Sequence, residues 1–358
     1  MTGERGRFII AMETRFLGRS GLEVSLLGFG AMTFGTGEGI FASVGSTRGK
    51  DARRQVDICL DAGVNLFDTA DVYSNGQSEV ELGKALGNRR KDVVLATKAF
   101  ARIGKQAHDI GLSRRHIVSA CEDSLRRLGT DWIDLYQVHN FDSLVPVEET
   151  LRALDDLVTA GKVRYIGCSN WSGWQLMKGL SLSELHGLSR FCGQQIQYSL
   201  LVRDAENELL PCGVSEEVGA LIWSPLAQGF LSGKFRQKGD TGETRLEMSG
   251  AIGMWDSDRS NAVLDTGLEI AAARDVSPSQ VALNWLFARP GVATVLIGAR
   301  TDEQLADNLA AAQWRLENSE IEALDRVSQQ REPYPYSFRR HHSPERNPQL
   351  FRRYPSRT

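Results

Sequence analysis

The chain has 358 residues, of which 41% are hydrophobic and 24% charged, a composition typical of a globular protein with a sizeable core. Its 42 basic and 45 acidic residues nearly balance, so charge favours neither a nucleic-acid partner nor an anionic membrane surface. Five scattered cysteines without a CxxC pair argue against a zinc site and are typical of reduced thiols. No apolar run is long enough for a membrane span or a signal sequence. These two observations predict a cytoplasmic protein.

Segments with strand and helix character alternate from residue 14 onward. Residues 14–18 and 22–25 flank a turn that ends in Gly21 and predict a β-hairpin. Short apolar runs then predict buried strands at 26–29, 64–67, 93–96, 132–138, 163–168, 195–198, 220–223 and 294–297. Apolar residues at helical spacing predict helices at 53–62, 78–86, 113–128, 145–160, 173–180, 205–218, 263–274, 279–288 and 301–312, with an extra helix at 320–329.

About eight strand–helix repeats predict an α/β protein, a (β/α)8 TIM barrel, because parallel strands need right-handed crossovers and a closed barrel buries them all. No G-x-G-x-x-G motif follows the first strand, which disfavours a Rossmann fold. We expect one domain over residues 14–330, an N-terminal extension at 1–13, with Met12 as an alternative start, and a Pro/Arg-rich C-terminal tail at 331–358. The tail is either an unstructured basic segment or a flap that packs Tyr334, Tyr336 and Phe338 over the barrel mouth.

Four ionisable side chains follow the ends of consecutive predicted strands. Asp68 and Tyr73 follow the strand at 64–67, Lys98 follows the next strand and His139 the one after it. The carboxyl ends of parallel barrel strands carry the chemistry, so we expect these side chains to meet. A lysine ammonium makes a nearby tyrosine a better acid, a carboxylate fixes the lysine, and an imidazole can orient a carbonyl oxygen. Each residue alone is more often a turn, packing or structural residue, but together they predict a proton-donating site for carbonyl reduction.

Ordered motifs cover most of the chain. They are Phe67-Asp68-Thr69-Ala70 with Tyr73, Ala96-Thr97-Lys98, Leu135-Tyr136-Gln137-Val138-His139, the segment from Gly161 to Asn170, and Trp223-Ser224-Pro225-Leu226. From about Thr14 to Gln329 the sequence resembles the aldo-keto reductases. It is most similar to the bacterial branch that also resembles the beta subunits of voltage-gated potassium channels.

This resemblance implies a tetrad of Asp68, Tyr73, Lys98 and His139, with Tyr73 as the general acid in reduction. It also implies NADPH, bound in an extended pose across the barrel mouth. The implied cofactor-binding residues are Ser169, Asn170 and Gln195 at the nicotinamide carboxamide, Trp223 against the ring with Ser224, Pro225 and Leu226 after it, Lys234 and Arg245 toward the phosphates, and Gly298, Arg300, Gln304, Asp307 and Asn308 at the adenine end.

Arg300 stands between the last predicted strand and the last barrel helix. A guanidinium there suits a 2′-phosphate, because arginine binds phosphate with two hydrogen bonds and a helix N-terminus is positive. The alternative is a surface arginine paired with Asp302 or Glu303.

The substrate pocket is less well defined by sequence. The candidate wall residues are Met32, Phe34, Phe100, Asn140 and Trp171, and plain core packing is the alternative for the aromatic ones. Residues 140–142 depart from the family pattern, which has a bulkier aromatic residue or arginine followed by proline. This departure bears on specificity rather than on the chemistry.

The sequence therefore favours an NADPH-dependent reductase of small aldehydes or ketones. A metal site, a nucleic-acid partner and a membrane partner are not expected, and a homo-oligomer is compatible with the sequence. Two alternatives stay open: a cofactor-binding regulatory or scaffold protein like the channel beta subunits, and a sugar or polyol dehydrogenase that prefers NAD. The sequence does not name the substrate or the preferred direction of reaction.

Overall fold

Eight parallel strands close into a barrel in this computed structural model, which describes residues 11–36, 44, 46–234, 255 and 257–338. The barrel strands are β3 (Leu27–Gly30), β4 (Leu66–Asp68), β5 (Val94–Ala99), β6 (Ile133–Val138), β7 (Val163–Ser169), β8 (Phe191–Gln197), β9 (Gly219–Trp223) and β10 (Val292–Ile297). Each strand pairs with the next along the chain, and β10 pairs with β3 to close the barrel. The predicted (β/α)8 TIM barrel is confirmed.

A short antiparallel hairpin closes the amino end of the barrel. It consists of β1 (Thr14–Phe16) and β2 (Glu23–Ser25), as the sequence predicts. Leu17 in its loop is fully buried in the cluster of side chains that fills the barrel interior. Gly193 and Gly219 line its site, and a side chain at either position would overlap the Leu17 side chain. The closed end leaves the carboxyl ends of the strands as the open face.

The helices surround the barrel in the predicted alternation. They are α1 (Lys50–Asp61), α2 (Gln77–Leu86), α3 (Arg114–Leu128), α4 (Val147–Thr159), α5 (Gly173–His186), α6 (Leu209–Ser215), α7 (Asp258–Arg274), α8 (Pro278–Phe287), α9 (Asp302–Ala310) and α10 (Asn318–Ser328). Ser113 caps α3 by accepting a hydrogen bond from the His116 amide, and the left-handed residue Gly129 ends the helix. Among the described residues, no helix has the length and hydropathy needed to cross a membrane.

Several boundaries differ from the predicted ones. The helix predicted at 173–180 continues to His186, and β8 begins at Phe191 rather than at 195. The segment predicted as one helix at 205–218 contains a 3-10 turn (Asp204–Glu206) and the short helix α6. Pro211 lies in the first turn of α6, where its missing N–H leaves no hydrogen bond unmade.

The described part of the C-terminal tail reaches the side of the barrel mouth. The Tyr336 hydroxyl donates to the Glu208 carboxylate, and Tyr336 lines a depression that also borders Trp223. Tyr334 and Phe338 are 80% and 63% exposed. The predicted flap therefore has one aromatic residue at the mouth within the described segment, and residues 339–358 lie outside that description.

Candidate active site

Lys98 lies at the centre of a buried group of ionisable side chains at the open end of the barrel. Its Nζ is 2.5 Å from Asp68 Oδ1, 2.8 Å from the Thr69 carbonyl oxygen and 3.4 Å from the Tyr73 hydroxyl. Lys98 is fully buried, and Asp68 is 3% exposed. A buried charge is costly without a partner, so Asp68 keeps the ammonium in place. The ammonium is thereby held beside the tyrosine hydroxyl.

Side-chain alternation along the strands explains why these groups meet. Asp68 and Lys98 each stand two residues after an inward-facing residue of the barrel core, Leu66 and Ala96 respectively, so they point the same way. Gln137 of β6 and Gln195 of β8 face inward as well. Their amides donate to Asp68 Oδ2 at 3.0 and 2.9 Å. Both oxygens of Asp68 therefore accept hydrogen bonds, and the carboxylate is fixed.

The Tyr73 hydroxyl is held by a turn of unusual backbone geometry. Tyr73–Gly76 forms a 3-10 turn in which Ser74, Asn75 and Gly76 have φ values of 47°, 54° and 87°. Successive left-handed residues are unfavourable for side chains other than glycine and occur where function or packing requires them. The turn places the centroid of the Tyr73 ring 5.8 Å from the centroid of the His139 ring, in an edge-to-face arrangement.

Burial and charge act in opposite directions on the two central groups. Burial raises the pKa of Tyr73, and the Lys98 ammonium opposes that rise. Burial by itself lowers the pKa of Lys98, but Asp68 and Tyr73 outweigh it, so the pKa of Lys98 is raised and the amine stays charged. The pair is therefore a protonated tyrosine beside a permanent cation.

His139 is neutral at physiological pH. Burial, followed by the charge of Lys98, lowers the pKa of its imidazole to about 3. Its Nδ1 is buried and has no hydrogen-bond partner among the described residues. A neutral imidazole has one donor and one acceptor, so His139 can orient a polar group but cannot supply a cationic charge.

A cavity of about 960 Å³ opens beside these residues and runs from Tyr73 and His139 to the start of α9. Its volume lies at the upper end of the range for small-molecule sites, roughly 300–1,000 Å³. Among the predicted residues it is lined by Asp68, Tyr73, His139, Ser169, Asn170, Gln195, Trp223, Ser224, Pro225, Leu226, Lys234, Gly298, Arg300, Gln304, Asp307 and Asn308. Lys98 lies behind this lining.

The predicted nicotinamide end is a hydrogen-bonded group of side chains. Ser169 donates to the Gln195 carbonyl oxygen at 3.0 Å, and Asn170 donates to the His139 carbonyl oxygen at 3.0 Å. Trp223 donates from Nε1 to Asn170 Oδ1 at 3.2 Å. These bonds orient the side chains. The second amide hydrogen of Asn170 and the Ser169 hydroxyl oxygen retain capacity for a ligand.

The predicted phosphate end combines a turn with a helix N-terminus. Ser224, Ala227, Gln228 and Gly229 have positive φ values, in a turn that lines the cavity and leads to Lys234. Backbone turned in this way presents successive N–H groups, which suit an anion. Facing the same cavity, Arg300 precedes α9, and its backbone N–H donates to Gln304 at 3.2 Å.

The alternative pairing for Arg300 is not found. Asp302 forms its ion pair with Arg54, and Arg300 makes no ion pair within the described ranges. Asp307 lines the cavity, but its two carboxylate oxygens accept from Ser277 and Gln280 at 2.7 Å each, which joins α8 to α9. Arg245 lies outside the described residues.

The predicted substrate wall is brought to the cavity only in part. Met32 lines it, whereas Phe34 is fully buried in the core against Phe29. Trp171 is 4% exposed, packs against Phe141 and Phe191, and borders the neighbouring depression. Phe100 packs against the core, and neither it nor Asn140 is among the lining residues. The alternative interpretation of these aromatic residues was plain core packing, and Phe34, Phe100 and Trp171 all pack in or against the core.

Several residues at the site were missed by sequence reasoning. Gln137 fixes Asp68, and inward alternation from Leu135 on the same strand could have indicated it. Gly229 and Ser232 line the cavity just before Lys234, and this Gly/Ser/Lys spacing was a signal for an anion-binding turn. Thr33 and Ser279 line the cavity without any local sequence signal.

Comparison with known proteins agrees with this geometry. The model of the Aldo/keto reductase family matches residues 26–329. A probable voltage-gated potassium channel subunit beta from Oryza sativa subsp. japonica is 38% identical over 311 residues, covering 84% of this chain and 91% of that protein. The uncharacterized oxidoreductase YrpG of Bacillus subtilis is 36% identical over 327 residues, covering 88% of this chain and 96% of its own length.

The versiconal hemiacetal acetate reductase of Aspergillus parasiticus is 31% identical over 344 residues, covering 90% of this chain and 97% of that enzyme. Two of these relatives carry the names of oxidoreductases, and the family match includes all eight barrel strands and begins after the hairpin. The names of these relatives support an oxidoreductase activity, and the chain belongs to the aldo/keto reductase family.

Proposed function

We propose that the protein is an NADPH-dependent reductase of small aldehydes or ketones, with Tyr73 as the proton donor. The observation that carries this proposal is the Lys98 ammonium, 3.4 Å from the Tyr73 hydroxyl and paired with buried Asp68, at the end of a cavity of about 960 Å³. This arrangement supplies a proton to a substrate atom inside the cavity.

The residues along the cavity suit a nicotinamide dinucleotide. One end offers amide and hydroxyl groups from Ser169, Asn170 and Gln195 beside the indole of Trp223, which match the needs of a carboxamide-bearing ring. The other end offers Lys234, Arg300 and the N-terminus of α9, which match phosphate groups. The guanidinium of Arg300 makes NADPH the preferred form in this proposal.

When bound, NADPH supplies the hydride that adds to the carbonyl carbon. The Tyr73 hydroxyl donates its proton to the carbonyl oxygen as negative charge develops there. The proton leaves a phenolate, which the Lys98 ammonium stabilises at close range, while Asp68 keeps that ammonium in position.

His139 holds the carbonyl oxygen in this scheme. Because its imidazole is neutral, it acts through one hydrogen bond and directs the oxygen toward Tyr73. Met32 and Trp223 line the cavity, where their apolar surfaces would shield the reacting atoms from water.

The test begins with binding. Purified protein is titrated with NADPH and with NADH while tryptophan fluorescence is followed, and a panel of aldehydes and ketones is then added while absorbance of the reduced nicotinamide is recorded. We expect tight NADPH binding and turnover on some carbonyls. Tyr73→Phe should lower turnover by roughly 10²- to 10⁴-fold and leave the NADPH Kd within about twofold, because it removes only the proton donor. Tyr165→Phe, near the closed end of the barrel, is the matched control and should turn over normally.

Other outcomes separate the remaining functions. Normal turnover by Tyr73→Phe would refute the mechanism. Tight cofactor binding without turnover on any carbonyl would favour a regulatory role, which accords with the relative named as a probable channel beta subunit. Preference for NADH with turnover on sugars or polyols would favour a dehydrogenase, and failure to bind either cofactor would contradict the proposal.

A further inference from the structure

A second buried group of charged side chains lies on the outer side of the barrel wall, directly behind Tyr73 and Lys98. Glu79 of α2 is fully buried; its Oε1 accepts from the Thr97 hydroxyl at 2.6 Å and its Oε2 accepts from Arg127 Nε at 2.6 Å. Thr97 precedes Lys98 on β5, so their side chains point to opposite faces of the strand. The Glu79 carboxylate therefore fixes, from outside, the strand that carries Lys98.

The same group also supports the turn that carries Tyr73. The Arg127 side chain of α3 passes so close to Gly76 that a side chain at Gly76 would begin 2.8 Å from Arg127 Cδ. Gly76 ends the left-handed turn that starts at Tyr73. Arg127 therefore packs directly against the turn on which the position of the Tyr73 hydroxyl depends.

Asp71 is the unusual member of this group. It is fully buried, and its backbone N–H donates to the Lys98 carbonyl oxygen at 3.1 Å. Neither carboxyl oxygen has a well-formed hydrogen bond to a described residue, although the Val72 amide gives partial support. Buried carboxylates are normally paired or hydrogen-bonded, so this one calls for an explanation.

The charges of the group do not balance when both carboxyls are ionised. Arg127 supplies the positive charge of this group through its ion pair with Glu79. The nearby Lys98 ammonium is already paired with Asp68. Two ionised carboxyls beside one guanidinium would leave a net negative charge in the interior, which is costly. Glu79 has two strong donors and Asp71 lacks them, so a proton is best accommodated on Asp71.

We propose that Asp71, Glu79, Thr97 and Arg127 form a positioning cluster for Tyr73 and Lys98, in which Asp71 binds and releases a proton and thereby tunes the acidity of Tyr73. This proposal rests on the proposed reductase function. It adds a group that touches neither substrate nor cofactor and acts through the proton donor.

The groups that face Asp71 determine where it titrates. Burial and then the Glu79 charge raise the pKa of Asp71 to about 8, while Arg127, the Val72 amide and Lys98 act in the opposite direction. The charge of ionised Asp71 in turn raises the pKa of Tyr73, on the same segment, and the pKa of Tyr136 of β6. Asp71 is therefore neutral below about pH 8 and negative above it.

The charge state of Asp71 changes the strength of Tyr73 as an acid. Ionised Asp71 raises the pKa of Tyr73, which makes the tyrosine a weaker proton donor. We therefore expect the turnover number for reduction to fall as pH rises through about 8, before Tyr73 itself is titrated.

Asp71→Asn tests this inference because it keeps the size of the side chain and removes its ionisation. Two readouts are measured against pH: the turnover number with saturating NADPH, and the ultraviolet absorbance of the tyrosinate of Tyr73, obtained by subtracting the Tyr73→Phe protein. We expect the inflection near pH 8 to disappear and the tyrosinate titration to move to lower pH. Asp61→Asn, at the exposed end of α1, is the matched control and should change neither curve.

Two results for Asp71→Asn would contradict this inference. An unchanged inflection and an unmoved tyrosinate titration in Asp71→Asn would overturn the inference, as would a uniform loss of turnover with both pH curves unmoved. If the wild type has no reductase activity, the proposed function fails, and the tyrosinate titration still tests this inference.

If Asp71→Asn does not fold, Glu79→Gln is the second variant. Removing the Glu79 charge should lower the pKa of Asp71 and move the inflection in turnover to lower pH than in the wild type. An unmoved inflection would refute the proposed cluster.

Discussion

Arg300 is the side chain that accounts for the proposed preference for NADPH. It lines the cavity beside the N-terminus of α9 and makes no ion pair with any residue that the structure describes. We expect Arg300→Ala to weaken NADPH binding by roughly 10- to 100-fold, because a charge-assisted phosphate contact is worth about 1.5–3 kcal/mol. NADH lacks the extra phosphate, so its Kd should stay within about twofold.

Fluorescence titration of the variant with both cofactors measures this difference. Arg19→Ala is the control, since Arg19 lies in the hairpin loop at the closed end of the barrel with 79% of its side chain exposed. Equal weakening of NADPH and NADH by Arg300→Ala would show that Arg300 supports the site generally and does not read the 2′-phosphate.

The sequence predicts that Asp68, Lys98 and His139 lie close together, because their placement depends on where strands end. Asp68 and Lys98 lie at the carboxyl ends of β4 and β5, and His139 follows β6; parallel strands must end on the same face of a barrel. The cavity wall is predicted less well, because a large apolar side chain near a strand end can face either the cavity or the surrounding core. Phe34 shows this: it follows the first barrel strand, as expected for a wall residue, yet it packs inward against Phe29.

The turn at Tyr73–Gly76 joins the site to the helices behind it. Gly76 has a φ of 87° and leaves room for Arg127. We expect Gly76→Ala to lower the free energy of unfolding by about 1–3 kcal/mol, since alanine is strained at positive φ and its methyl group meets Arg127. Turnover should fall by roughly tenfold or more, because a displaced turn moves the Tyr73 hydroxyl.

Chemical denaturation and steady-state kinetics test this prediction together. Gly129→Ala is the matched control: Gly129 is also left-handed, with a φ of 64°, but no atom of the described residues lies within 4 Å of an added Cβ. It should show a backbone cost with normal turnover. If Gly76→Ala and Gly129→Ala lose stability equally and both retain turnover, the contact between Arg127 and the turn has no part in positioning Tyr73.

The sequence predicts the existence and order of the elements better than their contacts. Periodicity and capping residues such as Ser113 locate the helices, and the Gly-containing turn locates the hairpin. Local patterns do not reveal that Leu17 of the hairpin closes the barrel, nor that Glu79 of α2 reaches Thr97 of β5. Those contacts join segments that are distant in sequence, and the packing of the whole barrel decides them.

The buried carboxyl of Asp71, behind the site, affects the stability of the entire fold. The pKa of Asp71 is about 8 in the folded protein, against a usual value of 3.8. The folded state therefore retains a proton that the unfolded chain releases as pH rises above about 4. Linkage then requires that the contribution of Asp71 to stability decreases between about pH 4 and pH 8 and is constant above that range.

Asp71→Asn removes this pH-dependent cost and should make the protein more stable at neutral pH. We expect its free energy of unfolding at pH 7 to exceed that of the wild type by about 1–3 kcal/mol, with a smaller difference at pH 5. Urea denaturation of both proteins at pH 5, 7 and 8.5 measures the trend, and Asp61→Asn, exposed at the end of α1, controls for the substitution itself. A difference that is constant across these pH values would mean that Asp71 is ionised throughout the range in the folded protein. The Asp71 carboxylate would then be stabilised within the cluster, and the increase in stability would come from packing alone.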